Sequence, residues 1–119
     1  MTNTADDGVL THLTPEEAME QVRRWTDSRV VGERASNRLE ILAAHGVHVA
    51  LSNVPGEILV KMAWRTPTCV ELTVMWTLGS FLPREPMPYV ADKLTDLATS
   101  WSFRNTAAGA QLICLVEDD

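Results

Sequence analysis

His48, Lys61 and Glu71 bring an imidazole, an amine and a carboxylate into one short stretch of alternating apolar and polar residues. Set within reach of one another, they make an acid–base or ion-pair cluster. The carboxylate raises the histidine pKa and the lysine lowers it, so a proton can be exchanged near neutral pH. Alternation alone also places polar residues on the wet side of a sheet, where a cross-strand ion pair contributes little. The trio is therefore a candidate site and not a signature. His45 and His48 lie three apart across an expected helix end and strand start, which does not turn both rings onto one metal. Ser52, Ser80 and Ser100 lack the context of a nucleophile elbow, and no glycine-rich phosphate loop is present. Neither a metal nor a cofactor is expected.

The elements that must position the trio are read from residues 46–77, where two proline-containing breaks divide three alternating runs. Period two marks a strand with one buried face. The first expected strand is Val47 to Leu51, the second Ile58 to Trp64 and the third Cys69 to Trp76. Val47, Val49, Leu51, Ile58, Val60, Met62, Trp64, Val70, Leu72, Val74 and Trp76 face the core. His48, Ala50, Leu59, Lys61, Ala63, Cys69, Glu71, Thr73 and Met75 share the other face. Asn53-Val54-Pro55-Gly56 and Arg65-Thr66-Pro67-Thr68 supply the turns.

Two helices precede this stretch. Thr14-Pro15-Glu16-Glu17 is a capping-box start, followed by an apolar stripe of Ala18, Val22 and Trp25. Thr26-Asp27-Ser28 ends that helix. A second runs from about Arg29 to His45, burying Val31, Ala35, Leu39 and Leu42, with Gly46 as its left-handed cap. After the proline-rich loop 77–88, a third helix spans about Pro88 to Ser100 with the stripe Val90, Leu94, Leu97 and Trp101. Gln111 to Glu117 is a last strand, apolar without a gap as a doubly covered strand requires.

The expected order is thus α-α-β-β-β-α-β. The third helix carries the chain across the sheet, so the last strand lies parallel to the first in a mixed four-stranded sheet of order 4-1-2-3. The fold class is α+β, a two-layer sandwich with the helices on one face. Residues 14–119 form one domain behind a flexible arm, residues 1–13.

The second sheet face is too apolar for water and too polar for a sealed core. Leu59, Lys61, Cys69, Glu71 and Met75 on that face, with Phe81 from the loop, are the expected interface of a homodimer or a heteromeric protein partner. The 119 residues carry a formal net charge of −6, which argues against nucleic acid. No leader and no apolar run of about 18 residues appears, so no membrane span is expected and a cytoplasmic location follows. Cys69 and Cys114 read as reduced core or sheet thiols. Arginine outnumbers lysine eight to two, a bias of GC-rich bacterial genomes.

Leu94, Leu97, Ala98, Trp101 and Gly109 match a helix of the form L-x-x-L-A-x-x-W followed by a glycine-containing turn and a final strand. On these residues, 94–117 resembles the closing helix and strand of the ATPase domain in bacterial anti-sigma-factor serine kinases of the GHKL class. No D-x-G-x-G box precedes the helix, and no asparagine-bearing magnesium motif is recognisable around Asn37. The resemblance therefore implies a degenerate member without bound ATP, and it carries over no functional residue.

The sequence points to a non-catalytic regulatory or protein-interaction module. The alternatives are a small enzyme or ligand-binding domain with its site at His48, Lys61 and Glu71, and a degenerate GHKL-like regulator.

Overall fold

The computed structural model describes residues 9–11, 14–52, 57–77, 88–105 and 109–118. It is an α+β fold in the order β1 (Val9–Thr11), α1 (Pro15–Ser28), α2 (Glu33–Ser52), β2 (Ile58–Thr66), β3 (Cys69–Thr77), α3 (Pro88–Leu97), β4 (Ser100–Asn105) and β5 (Gly109–Glu117). Among the described residues no helix is long and apolar enough to cross a membrane.

Helix α1 starts as its sequence demands. The Thr14 hydroxyl accepts from the Glu17 backbone N–H at 3.1 Å, and Pro15 fills the first turn, where no donor is needed. The helix does not stop at Thr26. The hydroxyls of Thr26 and Ser28 donate back to the carbonyls of Arg23 and Trp25, each at 3.0 Å, so these polar residues stay helical. The Thr26 proton is thereby committed, which makes Ser36 the donor in the buried 2.7 Å contact between the two hydroxyls. Closure comes beyond Ser28: Val31 N–H reaches Thr26 O at 3.1 Å and Val30 N–H reaches Asp27 O at 3.5 Å. That pairing needs a left-handed residue, and Val30 takes it at φ 56° while 88% exposed. A β-branched residue is strained there.

The main correction concerns α2. It begins at Glu33 rather than Arg29 and runs unbroken to Ser52, so the expected first strand, Val47 to Leu51, is helical and Gly46 is no cap. Leu39, Leu42, Ala43, Gly46, Val47 and Ala50 form one buried helical stripe. Gly46 is where the helix comes closest to the sheet. A Cβ added there would stand 2.6 Å from Val74 Cγ2 and 3.5 Å from Leu112 Cδ2.

Helix α3 ends at Leu97, and the strand β4 follows where helix and loop were expected. The sheet is antiparallel throughout, in the order β1-β2-β3-β5-β4, and not mixed in the order 4-1-2-3. The cause is the extra strand. With β4 reversing the chain after α3, β5 arrives antiparallel to β3 and pairs with it from Cys69↔Glu117 to Thr77↔Gly109. Three residues of the expected N-terminal arm pair as β1 with β2, from Val9↔Lys61 to Thr11↔Leu59. Phe81 and most of the expected 77–88 loop lie outside the described residues.

One core joins the helices to one side of the sheet. Ile58, Val60, Met62, Val70, Leu72, Val74, Trp76, Ala110, Leu112, Cys114 and Val116 pack with Val22, Leu39, Leu42, Val47 and Leu94. Trp25 and Trp76 are core residues as expected, and Trp64 and Trp101 pack half-buried against that core, with Trp25 6.3 Å from Trp64 and Trp76 6.0 Å from Phe103 between ring centroids. Asp118 ties the C-terminus to the α1–α2 connection by accepting from Gly32 N–H at 2.9 Å.

Candidate functional site

Among the described residues, the second face of the sheet contributes no side chain to that core. Strand pairing arranges it as three rows across β2, β3, β5 and β4. The first row is Leu59, Met75, Gln111, Arg104; the second Lys61, Thr73, Ile113, Ser102; the third Ala63, Glu71, Leu115, Ser100. The apolar members are half-buried, and Thr73 at the centre is only 7% exposed. Strict alternation produces this face, because each inward residue of the core strands is followed by one pointing out.

The polar members are partly knitted together. Arg65 Nη1 meets Glu71 Oε1 at 2.8 Å, and the Thr73 hydroxyl lies 3.5 Å from Glu71 Oε2. Gln111 Nε2 points at Met75 Sδ from 3.6 Å. Two hollows open here. One of about 160 Å³ lies at the end of the first row, between Glu57, Leu59, Met75, Thr77 and Gln111. A larger one of about 410 Å³ lies over β3, β5 and β4, lined by Arg65, Glu71, Ser100, Trp101, Ser102, Arg104, Ile113 and Leu115.

The proposed trio does not assemble. His48 lies on α2 and is exposed, because the stretch that was to carry it into the sheet is helical. Lys61 and Glu71 do share the second face, but diagonally: Lys61 stands opposite Thr73, and Glu71 opposite Ala63. Glu71 pairs with Arg65 instead. Of the expected interface residues, Leu59, Lys61, Glu71 and Met75 lie together on this face, and Phe81 is outside the described residues. Cys69 is buried at its end, opposite Glu117.

Ser100, Ser102 and Arg104 were missed because they belong to the strand read as helix and loop. The signal was present. Ser100-Trp101-Ser102-Phe103-Arg104 alternates polar and aromatic residues over five positions, the period of a half-buried strand.

Neither thiol is a nucleophile. Burial pushes Cys114 up to about 12. Cys69 is raised as well, by burial first and then by its hydrogen bond to Glu117. Both thiols remain protonated near neutral pH, and the thiolate is the reactive form. His45 faces α3, and its pKa is lowered, mainly by burial and then by the charges of Lys93 and His48. Helical spacing puts it beside His48. Among the described residues, no group of three His, Cys, Asp or Glu side chains is placed to hold a metal ion.

The described residues of the second face thus offer apolar area, three cations, the carboxylates of Glu57, Glu71 and Glu117, and scattered hydroxyls, with Glu71 engaged by Arg65. Comparison with known proteins adds nothing to this chemistry: the chain matches no family model and no curated protein.

Proposed function

We propose that this chain is a non-catalytic interaction module, working in the cytoplasm as a regulatory dimer or heteromeric partner. In this reading the helices form one layer of a two-layer sandwich and the sheet face opposite them is the docking surface. One observation carries it. Leu59, Ala63, Met75, Ile113 and Leu115 stand half-buried on adjacent strands, outside the core that the helices share. A contiguous apolar face of that kind is a hallmark of protein association, and its Lys61, Arg65 and Glu71 give the rim its polarity. The enzyme alternative loses support, since its histidine lies on α2.

A photo-crosslinking residue placed at Ile113, with one at the exposed Ile41 of α2 for comparison, tests the proposal in the cells that make the protein. A discrete adduct is expected from position 113 and none from position 41. An adduct of twice the chain mass identifies a homodimer, and any other discrete mass a heteromer. Adducts from position 41 alone, or from neither, sink the reading.

The second proposal, a degenerate GHKL-like regulator, rests on the residues that carried the resemblance. Leu94 is fully buried, and Leu97, Ala98 and Trp101 pack against the core. These positions are structural, so nucleotide binding has to be measured directly. The expected result is no rise in Tm with ATP and magnesium, because ligand held only by the folded state raises Tm. A rise of several degrees would restore a nucleotide-binding function.

A further inference from the structure

We infer that the 410 Å³ hollow over β3, β5 and β4 receives an extended, carboxylate-bearing segment of a partner protein, anchored by an apolar side chain. This rests on the interaction reading and narrows it from any partner to an acidic one.

Charge is the first support. The lining of the hollow carries Arg65 and Arg104 against the carboxylate of Glu71, on a chain whose formal net charge is −6, while Glu57 and Glu117 stand at the two ends of the face. Within the hollow the guanidinium groups thus outnumber the carboxylates, although the chain as a whole is acidic. An acidic segment complements that lining.

The second support is the inventory of donors. Among the described residues, the Arg104 guanidinium and the Ser100 and Ser102 hydroxyls have no side-chain hydrogen-bond partner, and all three line the hollow. Arg65 gives Nη1 to Glu71 and keeps the rest of its fork. Guanidinium groups and hydroxyls pointing at one space are suited to carboxylate oxygens, which accept from both.

Shape is the third. Ser100, Ser102 and Arg104 alternate along one strand and span about 14 Å, the length of roughly four extended residues. Ile113 and Leu115 form the floor between them and Glu71. A lone phosphate or acetate fills a fraction of this trough and leaves the apolar floor wet. Nucleic acid is disfavoured by the chain's formal net charge of −6, and the half-buried Trp101 that also lines the hollow has its Nε1–H donated to Thr95 at 3.0 Å.

The test uses the full chain, labelled with nitrogen-15 and titrated with an acetylated octapeptide alternating glutamate and leucine. Amide shifts are expected at residues 100–105 and 111–115, with affinity falling about tenfold in Arg104→Glu and on raising salt. Arg104→Gln gives a smaller loss in the same direction, and the amide spectrum of each variant reports its fold. Several results overturn the inference. Equal binding of the glutamine-for-glutamate peptide removes carboxylate recognition. The same shifts with inorganic phosphate alone reduce the hollow to a small-anion site. Tighter binding of oligothymidylate than of the peptide makes the ligand a nucleic acid. Absence of shifts with every probe, alongside a crosslink from position 113, overturns this inference and leaves the interaction module standing. Absence of both overturns the two together.

Discussion

Replacing Gly46 by leucine is expected to cost at least about 3 kcal/mol, because the buried space between α2 and the sheet is already full. The first added carbon would stand 2.6 Å from Val74 Cγ2 and 3.2 Å from Val74 Cβ, with Leu112 Cδ2 next at 3.5 Å. Val74 and Leu112 are themselves buried on central strands, so neither side chain can swing into solvent. A loss of that size is a large share of the roughly 5–15 kcal/mol typical of a domain, and it lowers Tm by roughly 10 °C. Urea denaturation of the variant measures it directly.

Alanine at the same position separates two explanations. It gains about 1 kcal/mol of helix propensity over glycine and loses about 1–3 kcal/mol to overpacking. The net loss is therefore small, and it should be relieved when Val74 is also cut to alanine, with a coupling of about 1 kcal/mol. A glycine serving as a left-handed cap would behave otherwise. Alanine would then be penalised through φ, and Val74 would not matter. A cycle without coupling contradicts the continuous α2.

Gly109→Ala is the second large effect, expected to cost about 2–3 kcal/mol. Here the obstacle is backbone: an added Cβ would run into the Trp76 carbonyl oxygen and stand 3.0 Å from Thr77 Cα. A carbonyl in a sheet ladder cannot rotate aside, so the Thr77↔Gly109 end of the β3–β5 pairing has to open. Faster hydrogen exchange at residues 110 and 111, together with the lower denaturation midpoint, is the expected readout. Unchanged exchange there would show that the strands do not approach so closely.

Both glycines mark places where sequence reading and structure part. Over Gly46 to Leu51 the apolar residues satisfy period two, and Val47 and Ala50 equally continue the stripe of Leu39, Leu42 and Ala43. Six residues do not discriminate between the two periods. The close approach of Gly46 to Val74 and Leu112 does, because a side chain there would hold the helix off the sheet. Trp101 was ambiguous in the same way. It falls seven residues after Leu94, as a helical stripe requires, yet its neighbours Ser100, Ser102, Phe103 and Arg104 alternate as β4. The candidate site inherited both errors: His48 left it, and Ser100, Ser102 and Arg104 entered.

The sequence by itself determined the α+β class, the capped start of α1, and the extents of β2, β3 and β5 to within two residues. It also determined which side chains of β2 and β3 face away from the core. These follow from periodicity and capping, which act over a few neighbouring residues. Only the tertiary structure decided that α2 runs on through Gly46, that β4 takes an edge, and that β5 inserts between β3 and β4 to make the sheet wholly antiparallel. Those outcomes depend on which surfaces meet across the chain. The hollow between Arg65 and Arg104 exists only because strands distant in sequence are paired there, so no local pattern could announce it.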